Sequence, residues 1–98
     1  MIYELPERLT EVEERDLLDA YFLGDEHAKD ELITHNLYLV VLEAKKYVDE
    51  KNCIDDLVQV GTVGLIKAID SYNNNEYGTF NAHIIMNIEN ELKHYLNK

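Results

Sequence analysis

The sequence predicts an all-α fold, a compact bundle of four to five helices forming a single domain of 98 residues. Three observations carry that prediction. Apolar residues recur three and four apart in successive segments, no run alternates apolar and polar residues as a half-buried strand would, and capping or turn residues bound each periodic segment. A chain of this length builds a small core without disulfides. It has one cysteine, Cys53, so no internal bridge can form. A lone thiol with no activating neighbours fits a reducing cytoplasm and an inert role.

Thr10 followed by Glu13 is a capping box, and Val12, Leu17, Leu18, Tyr21 and Phe22 keep a helical interval behind it until Gly24 ends the segment. Residues 1–24 thus form an acidic N-terminal helix. Asp25 can cap a long second helix, whose apolar positions are Leu32, Ile33, Leu37, Val40, Val41, Ala44 and Val48, with Thr34-His35-Asn36 as the place for a kink. Asp49-Glu50-Lys51-Asn52 reads as a loop, after which Asp55 or Asp56 caps a third helix. Asn73-Asn74-Asn75-Glu76-Tyr77-Gly78 is the clearest turn, because asparagine and glycine tolerate left-handed backbone angles. A last helix runs from about Phe80 with Ile84, Ile85, Ile88, Leu92, Tyr95 and Leu96 on its buried side.

The third helix has one face too many. Leu57, Val58, Gly61, Leu65, Ala68 and Ile69 share one side, an ordinary core stripe. Opposite them Gln59, Thr62, Val63, Ile66 and Asp70 form a mixed apolar and hydrogen-bonding patch, the composition of a partner-binding surface. A central helix buried on both sides satisfies the same periodicity. Each helical glycine costs up to about 1 kcal/mol against alanine, so Gly61 and Gly64 beside Ala68 predict another helix approaching closely on that flank. On the last helix His83, Asn87, Asn90, His94 and Asn97 make a continuous stripe without an acid, in a chain where 20 of 98 residues are acidic. Amide and imidazole groups both donate and accept hydrogen bonds to base edges, and a solvated helix face accounts for the same residues.

Charge limits the partners. The net charge is −11, which opposes phosphate contacts, but it is uneven. Residues 1–31 hold eleven acids against three bases, whereas from Tyr77 onward two acids meet two lysines. The N-terminal third repels nucleic acid and the last helix permits its approach. No stretch reaches the roughly 18 uncharged apolar residues of a membrane span, and no basic leader precedes an apolar run. The expectation is a cytoplasmic protein with no membrane association. No catalytic triad or phosphate loop is legible, and His27, His35, His83 and His94 lack the spacing of a zinc site, so neither an enzyme nor a metal or other cofactor is expected. Glu89 and Glu91, two apart, point in different directions.

These residues carry a family resemblance. Asp56-Leu57-x-Gln59-x-Gly61-x-x-Gly64-Leu65-x-Lys67-Ala68 resembles the signature of conserved region 2 in sigma factors of the sigma-70 family. Gly24-Asp25-Glu26-His27-Ala28, Leu32-Ile33 and His35-Asn36-Leu37-x-Leu39-Val40 precede it in the family's order, and Ile88-Glu89-Asn90-Glu91-Leu92 with Tyr95-Leu96 is most similar to sporulation-type members. The resemblance covers the chain from about Leu9, with residues 25–98 as the core of region 2. It implies a transcription initiation factor domain whose third helix binds the clamp helices of the largest subunit of core RNA polymerase, through Asp56, Gln59, Val60, Thr62, Val63 and Ile66. It further implies that the −10 promoter element meets Tyr77, Phe80, His83, Asn87, Asn90, Lys93, His94 and Asn97, His83 matching an aromatic residue that stacks on a flipped base.

Some positions depart from the family pattern. Tyr38, Met86 and Asn97 stand where the family carries arginine, and Val60 where a glutamate is frequent. If those arginines contact phosphate, DNA binding here is weaker and less salt-dependent. The alternative is a sigma-like interaction module, a decoy, regulator or binder of an anti-sigma factor, that has lost independent promoter recognition. Sigma factors that read a whole promoter continue into further helical domains, so a chain stopping at Lys98 is either a fragment or a free-standing region 2.

Overall fold

Local hydrogen bonds set where each helix begins and ends. In the computed structural model, which describes residues 5–73 and 79–97, four helices run in order: α1 (Glu11–Phe22), α2 (Glu26–Lys45), α3 (Ile54–Ser71) and α4 (Phe80–Leu96). The capping box is formed: Glu13 N donates to Thr10 Oγ1 at 3.1 Å and Thr10 N to Glu13 Oε1 at 2.9 Å. At the other end of α1, Gly24 takes φ +102, while Gly24 N donates to the Tyr21 carbonyl and Asp25 N to the Ala20 carbonyl. That Schellman arrangement needs the left-handed angle glycine supplies. Asp25 Oδ1 then caps α2 by accepting from His27 N and Ala28 N.

The Thr34–Asn36 segment lies inside one uninterrupted helix, with buried Asn36 donating from Nδ2 to the Leu32 carbonyl at 2.8 Å. Two local expectations are corrected. Helix α2 stops at Lys45, leaving Val48 exposed beyond it. Helix α3 begins at Ile54 with Cys53 as its N-cap and no side-chain cap, so Asp55 and Asp56 occupy the first turn, where carboxylates favour the positive end of the helix dipole. The predicted loop closes on itself, since Asp49 Oδ1 accepts from Lys51 N, Asn52 N and Asn52 Nδ2. Of the predicted turn, residues 74–78 lie outside the described residues. Thr79 follows it and caps α4 by accepting from Ala82 N at 3.1 Å.

Packing is centred on α3, which lies against both α4 and α2, while α1 rests on α2. Leu32, Val40, Leu57, Leu65, Ile69, Ile84, Ile88 and Leu92 are fully buried, each contributing about 1.5–3 kcal/mol of hydrophobic stabilisation. Helix α1 contributes Leu18 to this core, with Leu17 and Tyr21 packed against it, whereas Val12 is 70% exposed and Phe22 44%. An outer helix with one neighbour buries only a narrow stripe. Its second tie is polar: Tyr21 Oη donates to Asp70 Oδ1 at 2.8 Å, and the same oxygen meets Lys29 Nζ at 2.7 Å. Lys29, then Tyr21, hold the Asp70 carboxyl below its usual range.

The predicted close approach falls at Gly64. A Cβ there would lie 2.6 Å from the Asn87 carbonyl oxygen and 2.8 Å from Ile88 Cα, so α4 crosses α3 backbone against backbone. A Cβ at Gly61 would meet the Val40 side chain at 2.9 Å. That contact is with a methyl group rather than a backbone.

Candidate functional site

With Leu57, Gly61, Gly64, Leu65, Ala68 and Ile69 buried, α3 turns a row of Gln59, Val63, Ile66 and Asp70 outward. Gln59 is exposed, Val63 is 45% exposed and Ile66 is half-buried. Both-sided burial is therefore not the fate of this helix. Asp56 is exposed in the first turn, and Thr62 is half-buried with its hydroxyl donating to the Val58 carbonyl at 2.7 Å. Asp70, at the far end of the row, is engaged by Tyr21 and Lys29 and so belongs to the bundle's own contacts. Val60 lies on the flank towards α4, where it lines a hollow of about 150 Å³ with Val63, Glu91, His94 and Tyr95.

That hollow joins the two surfaces singled out in the sequence. On α4, Asn90, Lys93, His94 and Asn97 are exposed, while His83 and Asn87 are half-buried. Lys67 of α3 is paired with Glu91 of α4 across the seam, and Lys93 stands 3.7 Å from Glu89, so both lysines are partly neutralised. His83 is held on three sides. Its Nε2 lies 2.9 Å from Ser71 Oγ, its ring centroid is 5.6 Å from that of Tyr72, and its carbonyl accepts from Asn87 Nδ2 at 2.9 Å. Phe80 is 6% exposed, seated in the core with its ring 4.8 Å from that of Tyr72, so it supports the site from beneath. Tyr77 lies outside the described residues.

Residues 32–98 match the sigma-70 region 2 family. The chain belongs to that family. It is 39% identical over 87 residues to the RNA polymerase sigma-K factor of Bacillus subtilis, a match covering 89% of this chain and 30% of that protein. The sigma-28 factor of Bacillus thuringiensis subsp. kurstaki is 37% identical over 93% of this chain, and the sigma-E factor of Clostridium acetobutylicum 37% over 96%. The region 2 chain thus spans 30–40% of the length of these curated relatives. The resemblance drawn from residues 24–96, including its sporulation-type members, is borne out.

Two features beside these surfaces escaped the sequence. Ser71 and Tyr72 flank His83 from the end of α3, twelve and eleven residues away in the chain. A cleft of about 820 Å³ also opens beside the start of α4, lined by Arg8, Arg15, Tyr38, Tyr72 and Asn81 among others. The Arg8 guanidinium lies 4.3 Å from the Tyr38 ring centroid, a cation–π contact. Two of the three bases of the acidic N-terminal third therefore line one cleft, with Glu11 and Glu14 on its wall. Periodicity sees one helix at a time and carries no sign of such assemblies.

Proposed function

We propose that residues 1–98 are a single region 2 domain that binds core RNA polymerase through the outward row of α3 and engages unpaired −10 promoter DNA along α4. The observation that carries the reading is the exposed row of Gln59, Val63 and Ile66 on a helix whose other faces are already packed. Asp56, Val60 and Thr62 flank that row. The surrounding negative charge suits a basic partner such as the clamp helices of the largest subunit, chiefly by speeding association. For DNA, support comes from the acid-free stripe of His83, Asn87, Asn90, His94 and Asn97, which adjoins the α3 row through the hollow at Val63 and His94. One surface then meets polymerase and strand together.

The test is a pull-down of the chain with the clamp-helix fragment. Gln59→Ala and Ile66→Asp should each weaken retention about five- to thirtyfold, the range of interface anchor residues, while the domain stays folded by circular dichroism. Undiminished retention of both variants overturns the polymerase assignment. Titration of labelled −10 non-template single strand, with and without core polymerase, separates this reading from the interaction module, which predicts no binding in either condition.

A further inference from the structure

We propose that Ser71 is a positioning residue that fixes the tautomer of His83, so that α4 presents an unprotonated Nδ1 as a hydrogen-bond acceptor for the amine of an unpaired base. The inference rests on the nucleic-acid reading of α4 given above. Ser71 has one hydroxyl proton. Its Oγ stands 2.8 Å from the Lys67 carbonyl oxygen and 3.4 Å from the Ala68 carbonyl oxygen, both of which can only accept. With the proton spent there, Oγ faces His83 Nε2, 2.9 Å away, with a lone pair. The imidazole must then donate from Nε2, and in the neutral ring Nδ1 is left bare.

The surroundings hold the ring in that orientation. Asn87 Nδ2 gives one of its two hydrogens to the His83 carbonyl at 2.9 Å and stands 3.5 Å from Nε2, a longer and weaker contact than the 2.9 Å approach of Ser71 Oγ. Tyr72 lies beside the ring at 5.6 Å between centroids, and Nδ1 makes no hydrogen bond among the described residues. A bare imidazole nitrogen accepts from the amine of adenine or cytosine, of which a duplex uses one hydrogen in pairing and an unpaired strand leaves both free. Ser71 thus lends specificity to a residue that could otherwise present either face.

The test uses the whole chain labelled with 15N-histidine at pH 8.5, where ordinary imidazole is neutral. Nitrogen shifts and couplings should place the His83 proton on Nε2, the signal being identified by its loss in His83→Asn. Ser71→Ala should give mixed tautomers and Ser71→Thr should restore Nε2–H. A proton on Nδ1 in the unaltered chain, or an unchanged signal in Ser71→Ala, overturns the positioning role. With core polymerase present, single strand should bind Ser71→Ala up to about twofold more weakly, since mixed tautomers dilute the competent ring without removing its hydrogen bond, and Ser71→Thr as the parent. A strand carrying purine and 2-pyrimidinone in place of adenine and cytosine should bind the parent chain about three- to tenfold more weakly, the worth of one hydrogen bond. Equal affinity for both strands overturns the amine assignment. If His83→Ala leaves strand binding unchanged while the tautomer is as stated, the nucleic-acid reading of α4 fails and the positioning role stands.

Discussion

Glu14 shows how one carboxylate reports its surroundings. It sits half-buried on the inner side of α1, where desolvation raises its pKa more than the 3.4 Å contact from Asn36 Nδ2 lowers it. A carboxyl whose folded pKa lies above the unfolded value adds stability that is fully present below the unfolded pKa, near 4.3, and is lost as pH rises through the folded one. Glu14→Gln removes that dependence and keeps a carbonyl for Asn36. Thermal unfolding should therefore find the variant more stable at pH 7, by less than about 1 kcal/mol given partial solvation, and the gap should close towards pH 4. A variant less stable than the parent at pH 7 contradicts this. Glu43 is the more deeply buried carboxylate: it is 6% exposed, paired with Lys46 at 2.8 Å, and its second oxygen finds no hydrogen-bond partner among the described residues.

At the scale of elements, the α3–α4 crossing decides where the proposed DNA-facing stripe stands. Gly64 lets the α4 backbone at Asn87 and Ile88 lie directly on α3, which brings His83 within reach of Ser71 and His94 beside Val63. Gly64→Ala places a methyl against backbone that cannot rotate away, and should cost about 2–3 kcal/mol in urea unfolding. Gly61→Ala meets only a Val40 methyl and gains up to about 1 kcal/mol of helix propensity, so its net cost should be near zero to 1 kcal/mol. Equal losses at the two positions would show that the crossing is not the tight point. The glycine pair was legible in the sequence. Which of the two meets a backbone was not, because that depends on how α4 is laid across α3.

Over the whole molecule, charge limits the proposed contact with nucleic acid. The chain carries −11, and Lys67 and Lys93 on the helices that form the proposed surface are already paired with Glu91 and Glu89. Few cations remain to displace counterions. Binding of single strand by the chain alone should be weak, with a logarithmic salt slope of magnitude about 1 to 1.5, corresponding to about two phosphate contacts. A slope above about 4 would mean that a basic surface has been missed. The cleft lined by Arg8 and Arg15 is the place where such a surface would arise, and summing charges along the chain concealed it.

The sequence by itself determined the helical class, the caps at Thr10, Asp25 and Gly24 and the core stripe of α3, because each is written in spacing and local hydrogen bonding along one segment, and it carried the family through the resemblance of its motifs. It placed Gln59, Val63 and Ile66 on an outward row for the same reason: helical period alone separates two faces. Tertiary structure decided the rest. Only packing among all four helices withdrew Asp70 into contacts with Tyr21 and Lys29, sank Phe80 beneath Tyr72, and set Ser71 against His83, since these pairs join residues whose meeting depends on how separate helices are stacked.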